Sequence, residues 1–281
     1  MTTAPNTLIV KGEPVEVRPG RTLNVTVHPG GERAGATVFL CHGAGGNQNQ
    51  WRNQWLLLTG LGYRVVAWDF PGHGQTKGKR QTQVYAGSEF LQDYLAILAK
   101  YATGRNILVG HSYGSRLTLA VLQALRAEGR LSLVERAMLL GPPPAVRTLP
   151  VGGPLAKWPL PLLALIRPML SKGFRQLAWH SSADPALVAY EDDLTRHNSL
   201  FMMRSLMAQS AALDVDSLGL LDLPILVLAG ASDGLTPAAG AEALAGLLPQ
   251  ASLTVLPQCA HQIMLEKPAE TNALLLEFIG G

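Results

Sequence analysis

One stretch constrains this chain more than any other: Arg105-Asn106-Ile107-Leu108-Val109-Gly110-His111-Ser112-Tyr113-Gly114-Ser115-Arg116-Leu117-Thr118-Leu119. It opens as an apolar run that reads as a buried strand and closes in a run of good helix formers. Between them lies Gly110-x-Ser112-x-Gly114. A strand that turns into a helix within so few residues crowds its own backbone, and glycine relieves that crowding because it has no Cβ. The two glycines leave Ser112 at the apex of the turn with room around its hydroxyl. This is the nucleophile-elbow pattern, in the strand–turn–helix setting it requires. A merely structural turn is the alternative, and the setting favours a nucleophilic serine.

The segments around the elbow alternate in kind. Leu8-Ile9-Val10, Val15-Glu16-Val17 and Leu23–Val27 read as short strands, with Lys11-Gly12-Glu13-Pro14 and Pro19-Gly20 as the turns between them. Gly30–Gly35 reads as a loop. Thr37–Leu40, Tyr63–Trp68, Arg136–Leu140, Pro224–Ala229 and Ser252–Leu256 are apolar runs suited to strands buried on both faces. Helical spacing marks Gln48–Leu61, Ser88–Tyr101, the segment after Ser112, Ala238–Leu248 and Pro268–Ile279. Strands that alternate with helices predict an α/β protein with a mostly parallel, doubly wound sheet. After Gly141-Pro142-Pro143-Pro144 no strand is predicted until beyond Ser210. Helices are expected instead near Lys172–Trp179, Pro185–Leu194 and Ser199–Ala212. The chain therefore divides into a first part of the core (1–141), a helical insertion (142–212) and a second part of the core (213–281).

Composition narrows the classes of function. Of 281 residues, 47% are hydrophobic and 15% charged, so the chain can bury a large core. A net charge of +3, not gathered into a basic run, excludes a nucleic-acid binder. Two cysteines, Cys41 and Cys259, make no disulfide framework and fit a reducing compartment. Met1–Asn6 has no basic segment leading into an apolar one, and no apolar run is long enough to span a bilayer. A cytoplasmic protein is the expectation. Residues 142–175 carry Arg147, Lys157, Arg167, Lys172 and Arg175 and no carboxylate. That surface could make weak contact with anionic lipid or admit an acidic, apolar substrate. The plainer alternative is an insertion that covers the core.

A serine hydroxyl needs a base to take its proton, and the base needs a partner that fixes its tautomer. Ser112, Asp233 and His261 each follow a predicted core strand, on the side where open parallel sheets place their sites. Asp214, Asp216 and Asp222 precede their strand and so fall at the other end. Asp69 and His73 lie in the Gly/Pro-rich turn Asp69-Phe70-Pro71-Gly72-His73-Gly74, where local backbone bonding is the preferred role. Cys41–Asn47, with three glycines after a strand, is either an oxyanion-binding turn or an ordinary one.

On these residues the chain resembles the α/β-hydrolase superfamily over nearly its whole length, in the serine-nucleophile, capped esterase- and lipase-like branch. The motifs are His42-Gly43-Ala44-Gly45-Gly46, Asp69–Gly74, Gly110–Gly114, Gly230-Ala231-Ser232-Asp233 and Cys259-Ala260-His261. The resemblance implies an eight-stranded sheet with a helical cap between strands 6 and 7. It also implies an oxyanion hole from the backbone N–H groups of Ala44 and Tyr113, with no metal or organic cofactor. Cys259 and Ala260 depart from the family's usual small residue and glycine, which tightens the turn before His261. Epoxide- and haloalkane-cleaving relatives use Asp at the elbow, and Ser112 speaks against both. The expected activity is hydrolysis of a small acyl substrate, an ester or related compound with an apolar part. Trp158, Leu162, Leu163 and Met264 are the candidates for lining its pocket. Carbon–carbon bond hydrolysis of a β-diketone-like substrate, or slow-turnover ligand binding on the same fold, are the alternatives.

Overall fold

The structure is a computed structural model and describes residues 10–145 and 158–280. The apolar runs pair into an eight-stranded sheet formed by β1 (Glu13–Arg18), β2 (Arg21–His28), β3 (Arg33–Cys41), β4 (Tyr63–Asp69), β5 (Arg105–His111), β6 (Arg136–Leu140), β7 (Ile225–Gly230) and β8 (Ala251–Leu256). Their spatial order is β1-β2-β4-β3-β5-β6-β7-β8. From β4 to β8 every neighbouring pair is parallel, while β2 runs antiparallel to both β1 and β4.

Period-two alternation explains why these runs must be strands with two covered faces. Val38, Leu40, Val65, Ala67, Ile107, Val109, Met138 and Leu140 pack into one core cluster. The intervening Phe39, Cys41, Val66, Trp68, Leu108, Ala137 and Leu139 pack into the other. The first cluster is closed by residues of α1 (Arg52–Gly60) and α10 (Pro268–Gly280), the second by residues of α2 (Gly87–Tyr101), α3 (Tyr113–Ala127) and α8 (Ala238–Ala245). The register sets Cys41 beside Gly110, His111 beside Leu140 and Leu140 beside Leu228. The strands therefore end nearly level, and their following loops meet along one edge.

Between β6 and β7 the chain leaves the sheet for α4 (Leu160–Leu165), α5 (Arg167–Ala178), α6 (Pro185–Thr195) and α7 (Leu200–Ala208). Pro161 and Pro168 fall in the first turns of α4 and α5, where a missing N–H costs nothing, so the prolines divide the apolar run into two helices. Arg116 of α3 ties both ends of the insertion to the core, donating to the carbonyls of Ala211 at 2.6 Å and Pro144 at 3.3 Å. Arg52 of α1 makes a 2.6 Å ion pair with Glu191 of α6. Arg147 and Lys157 lie outside the described residues. Arg175 pairs with Asp192 at 2.6 Å, and Arg167 donates to the carbonyls of Arg196 and Asn198. No helix among the described residues is long and apolar enough to cross a membrane.

Several expected boundaries shift. Glu13 and Pro14 belong to β1, an edge strand, where a proline removes no interior ladder bond. Arg33–Gly35 extends β3 through a register shift before Thr37. The expected helix from Gln48 begins as a 3₁₀ turn, Gln48–Trp51. There Asn47 caps Asn49 N, and Asp69 takes Gln48 N at 2.8 Å. Val10 is buried and donates to Asn49 Oδ1 rather than joining a strand, while Leu8 and Ile9 lie outside the described residues.

Candidate active site

Ser112 sits between β5 and α3 at φ 52° and ψ −115°, a backbone conformation rare for a residue with a Cβ. Its own N–H donates to the carbonyl of Leu140, the last residue of the adjacent β6, at 2.8 Å. A Cβ on Gly110 would lie 2.6 Å from the carbonyl carbon of Gly114, and one on Gly114 would lie 2.6 Å from the carbonyl oxygen of His42. The turn is thus closed by contacts only glycine allows. His111 and Tyr113 are buried on either side, while Ser112 between them stays partly exposed.

His261 and Asp233 come from the loops after β8 and β7 and meet beside His111, the residue before Ser112. His261 Nδ1 lies 2.7 Å from Asp233 Oδ2. Asp233 Oδ1 accepts the N–H groups of Leu235 and Thr236 at 2.8 Å each, and the Thr236 hydroxyl donates to Oδ2 at 2.7 Å. Burial opposes ionisation of Asp233, but His261 and Thr236 outweigh it and hold the carboxyl below its ordinary value. A carboxylate at this distance keeps the imidazole proton on Nδ1, so Nε2 is the basic nitrogen. A Cβ on Gly141, just past β6, would be 3.2 Å from His261 Nδ1, so the strand that holds Ser112 N also abuts the pair.

His111 bridges the two halves. Its ring lies 4.8 Å from that of His261, and its Nε2 is 2.9 Å from the carbonyl oxygen of His261. A carbonyl can only accept, so Nε2 carries the proton and Nδ1 accepts from Gln50 Nε2 at 3.0 Å. Burial holds His111 neutral, down at about 3.

The turn after β3 approaches the serine closely. The Cβ position of Gly43 is 3.2 Å from Ser112 Cβ. The turn is fixed from behind: Gly45 N donates to His73 Nε2 at 3.0 Å, and His42 accepts Phe70 N at 3.0 Å. Asp69 accepts Gln48 N and Gln75 N, both at 2.8 Å. Asp69 and His73 thus bond backbone both locally, at Gln75 N and Pro71 O, and across the fold, at Gln48 N and Gly45 N, where the turn composition suggested local partners alone. Ala44 follows Gly43 in this turn, and Tyr113 opens α3, where the first N–H groups have no acceptor within the helix.

The insertion touches all three loops. Asn198 Nδ2 donates to the Gly45 carbonyl at 2.5 Å, Gly234 N donates to Leu177 O at 3.0 Å, and His261 N donates to Ala178 O at 3.1 Å. Of the pocket candidates, Trp158 and Leu162 are partly exposed, at 37% and 41%, while Leu163 is 7% exposed. Met264 is a correction: it is fully buried in the core beside Trp51 and Ile263, because the short helix α9 (Ile263–Glu266) packs against the turn at Gln48–Trp51. Sequence pattern does not single out Gln50, Thr236 or Glu266, and it shows His111 only as part of the elbow, without its bond to His261. Thr236, three residues after Asp233, sits at a spacing that could have flagged it. No group of three or more His, Cys, Asp or Glu side chains among the described residues is placed to hold a metal ion.

Parallel sheet, elbow and loop order together are those of the α/β hydrolases. More particularly, the chain belongs to the family described as "Serine aminopeptidase, S33", whose model matches residues 32–268. Protein ABHD8 of Homo sapiens is 27% identical over 271 residues, covering 93% of this chain and 60% of that protein. The chain therefore spans about 60% of the length of the ABHD8 relatives it matches. Epoxide hydrolase B of Mycobacterium tuberculosis is 34% identical over 100 residues, 35% of this chain and 28% of that protein. An esterase from Exiguobacterium antarcticum superposes with a TM-score of 0.79 at 19% identity, covering 98% of this chain and 100% of that one.

Proposed function

We propose that this protein is a serine hydrolase that cleaves a carboxylic ester or related acyl compound with an apolar part. The observation that carries the reading is a partly exposed Ser112 in a strained turn, one residue from a histidine that is itself bonded to His261. In this reaction Ser112 Oγ attacks the acyl carbon while His261 Nε2 takes its proton, and Asp233 holds the resulting imidazolium. The oxyanion forms against the N–H groups of Ala44 and Tyr113, in a site whose donors are already oriented. Collapse expels the alcohol, which takes the proton from His261. Water, activated by the same nitrogen, then releases the acid from Ser112. The helical insertion acts as a cap whose residues, Trp158, Leu162 and Leu163 among them, meet the apolar part of the substrate. The Exiguobacterium relative, an esterase by name, supports acyl chemistry on this fold. Epoxide hydrolase B supports hydrolysis more broadly, and Ser112 at the elbow favours the ester.

The test is turnover of p-nitrophenyl esters of graded acyl length by the wild type and by Ser112→Ala, His261→Ala and Asp233→Asn. Ser112→Ala and His261→Ala should each abolish turnover to a similar degree, since such groups act as a unit, with losses of about 10⁴-fold or more. Asp233→Asn should cost roughly several thousand-fold by presenting the wrong tautomer. Retention of more than about a tenth of the rate in Ser112→Ala, against losses of that size, would overturn the assignment.

A further inference from the structure

Three successive N–H groups run through the loop that carries His261, and each finds an acceptor outside the loop. Ala260 N and Gln262 N both donate to Glu266 Oε1, at 3.1 Å each. His261 N, between them, donates to the carbonyl of Ala178 at the end of α5. Glu266 Oε2 accepts His180 N at 2.8 Å. One carboxylate thus joins the backbone on both sides of His261 to the connection between α5 and α6 within the insertion. A helix cap accounts only for the bond from Gln262, which precedes α9. The bonds from Ala260 and His180 go beyond it. No other acid supplies them, because Asp233 is committed to His261, Leu235 and Thr236.

The chemistry suits a carboxylate and not an amide. An ionised carboxylate offers two accepting oxygens and about four lone-pair sites, whereas glutamine offers one oxygen and two competing donors. N–H groups directed at a charged acceptor make bonds roughly twice as strong as neutral ones. The backbone just before the loop also needs an external hold, because Gln258 sits at φ 50°.

We infer that Glu266 is a positioning residue for the base, setting His261 against Ser112 by clamping the N–H groups on either side of it and tying that setting to the end of α5. This rests on the assignment of His261 as the base. A displacement of about 1 Å in a catalytic group can cost on the order of 100-fold in rate. Glu266→Gln keeps the volume but removes the charge from the oxygen that Ala260 N and Gln262 N share and sets an amide NH₂ against His180 N, so kcat should fall about 10- to 100-fold with KM changed less than about twofold. Glu266→Asp keeps the charge but shortens the reach, and should fall between the wild type and Glu266→Gln.

The experiment measures kcat and KM on p-nitrophenyl butyrate for wild type, Glu266→Gln, Glu266→Asp and His261→Ala, with melting temperatures for all four. The low-field ¹H resonance of the His261 Nδ1 proton supplies a readout that does not depend on turnover. A kcat loss at constant KM, with that resonance moved in a folded Glu266→Gln protein, bears the inference out. A protein that melts earlier but keeps kcat and the resonance overturns it and leaves Glu266 a helix cap. If Glu266→Gln does not fold, Glu266→Asp decides on the same two readouts. Turnover that survives in His261→Ala overturns the reading of the base itself, and the inference with it, a result distinct from failure of the clamp alone.

Discussion

His111 donates its Nε2–H to the main-chain carbonyl of His261 at 2.9 Å, so the residue before the elbow serine holds the backbone of His261. The bond spans 150 positions of sequence. His111→Phe keeps a ring of similar volume but leaves the His261 carbonyl and the Gln50 amide unpaired, at about 1–3 kcal/mol for each buried group. The variant should melt earlier and lose roughly 10-fold or more in kcat through displacement of His261. Steady-state kinetics below the melting temperature check it: an unchanged kcat would leave the bond with stability alone.

Ser112 stores strain. Holding a non-glycine residue at φ 52° costs on the order of 1–3 kcal/mol. Glycine adopts that region freely, so Ser112→Gly should be more stable than Ser112→Ala by about 1–2 kcal/mol. Elsewhere the order is the reverse, with glycine the less stable. Denaturant midpoints of the two inactive variants decide the matter, and equal midpoints would mean that the turn carries no strain.

Acid should destabilise the fold above the usual carboxylate range. Burial holds His73 at about 4, His111 at about 3 and His42 well below its ordinary value. Unfolded, each takes a proton near about 6.5. Their contribution is therefore full above about pH 6.5 and is lost as pH falls toward the folded values, at ~1.4 kcal/mol per proton per pH unit. Asp69 works the other way. Burial raises it to about 6, so between that value and its unfolded one the folded state holds the extra proton. Asp93, Glu191 and Glu266, also raised by burial, add to this opposing term at lower pH. Stability should still decline between pH 6.5 and 5, and His111→Phe should flatten that decline by about one proton's worth. Urea midpoints at pH 7, 6 and 5 measure both slopes, and parallel curves would contradict the buried, neutral state of His111.

Leu162 and Leu163 should separate specificity from stability. Leu163 is 7% exposed, and a serine there should cost about 2–4 kcal/mol in lost packing. Leu162 is 41% exposed, and Leu162→Ser should stay within about 1 kcal/mol of wild type. If Leu162 meets the acyl chain, its loss should grow with chain length at about 0.8 kcal/mol per CH₂ contact removed, roughly tenfold by octanoyl and near nothing for acetyl. An equal loss in kcat/KM across acetyl, butyryl and octanoyl esters would place Leu162 outside the pocket.

Local pattern alone determined the sheet and the elbow. Phe39 and Leu40, or Leu139 and Leu140, fall on opposite faces of the sheet because side chains alternate along a strand, and a continuous apolar run has no other compact solution. Gly110, Ser112 and Gly114 were equally legible, because a turn too tight for a Cβ writes its requirement into adjacent positions. Ser112, Asp233 and His261 could be chosen because each follows a strand whose end the sheet must align. What surrounds His261 was decided only in three dimensions. The bonds to the Ala178 carbonyl and the Glu266 carboxylate, and the one from His111, join its loop to elements that periodicity does not relate, and Met264 looked like a pocket residue until α9 turned it into the core. The 3₁₀ turn at Gln48 likewise depended on Asp69 reaching across to take its N–H. Burial is encoded in spacing along one element, whereas a hydrogen bond between loops depends on where the finished sheet sets their ends.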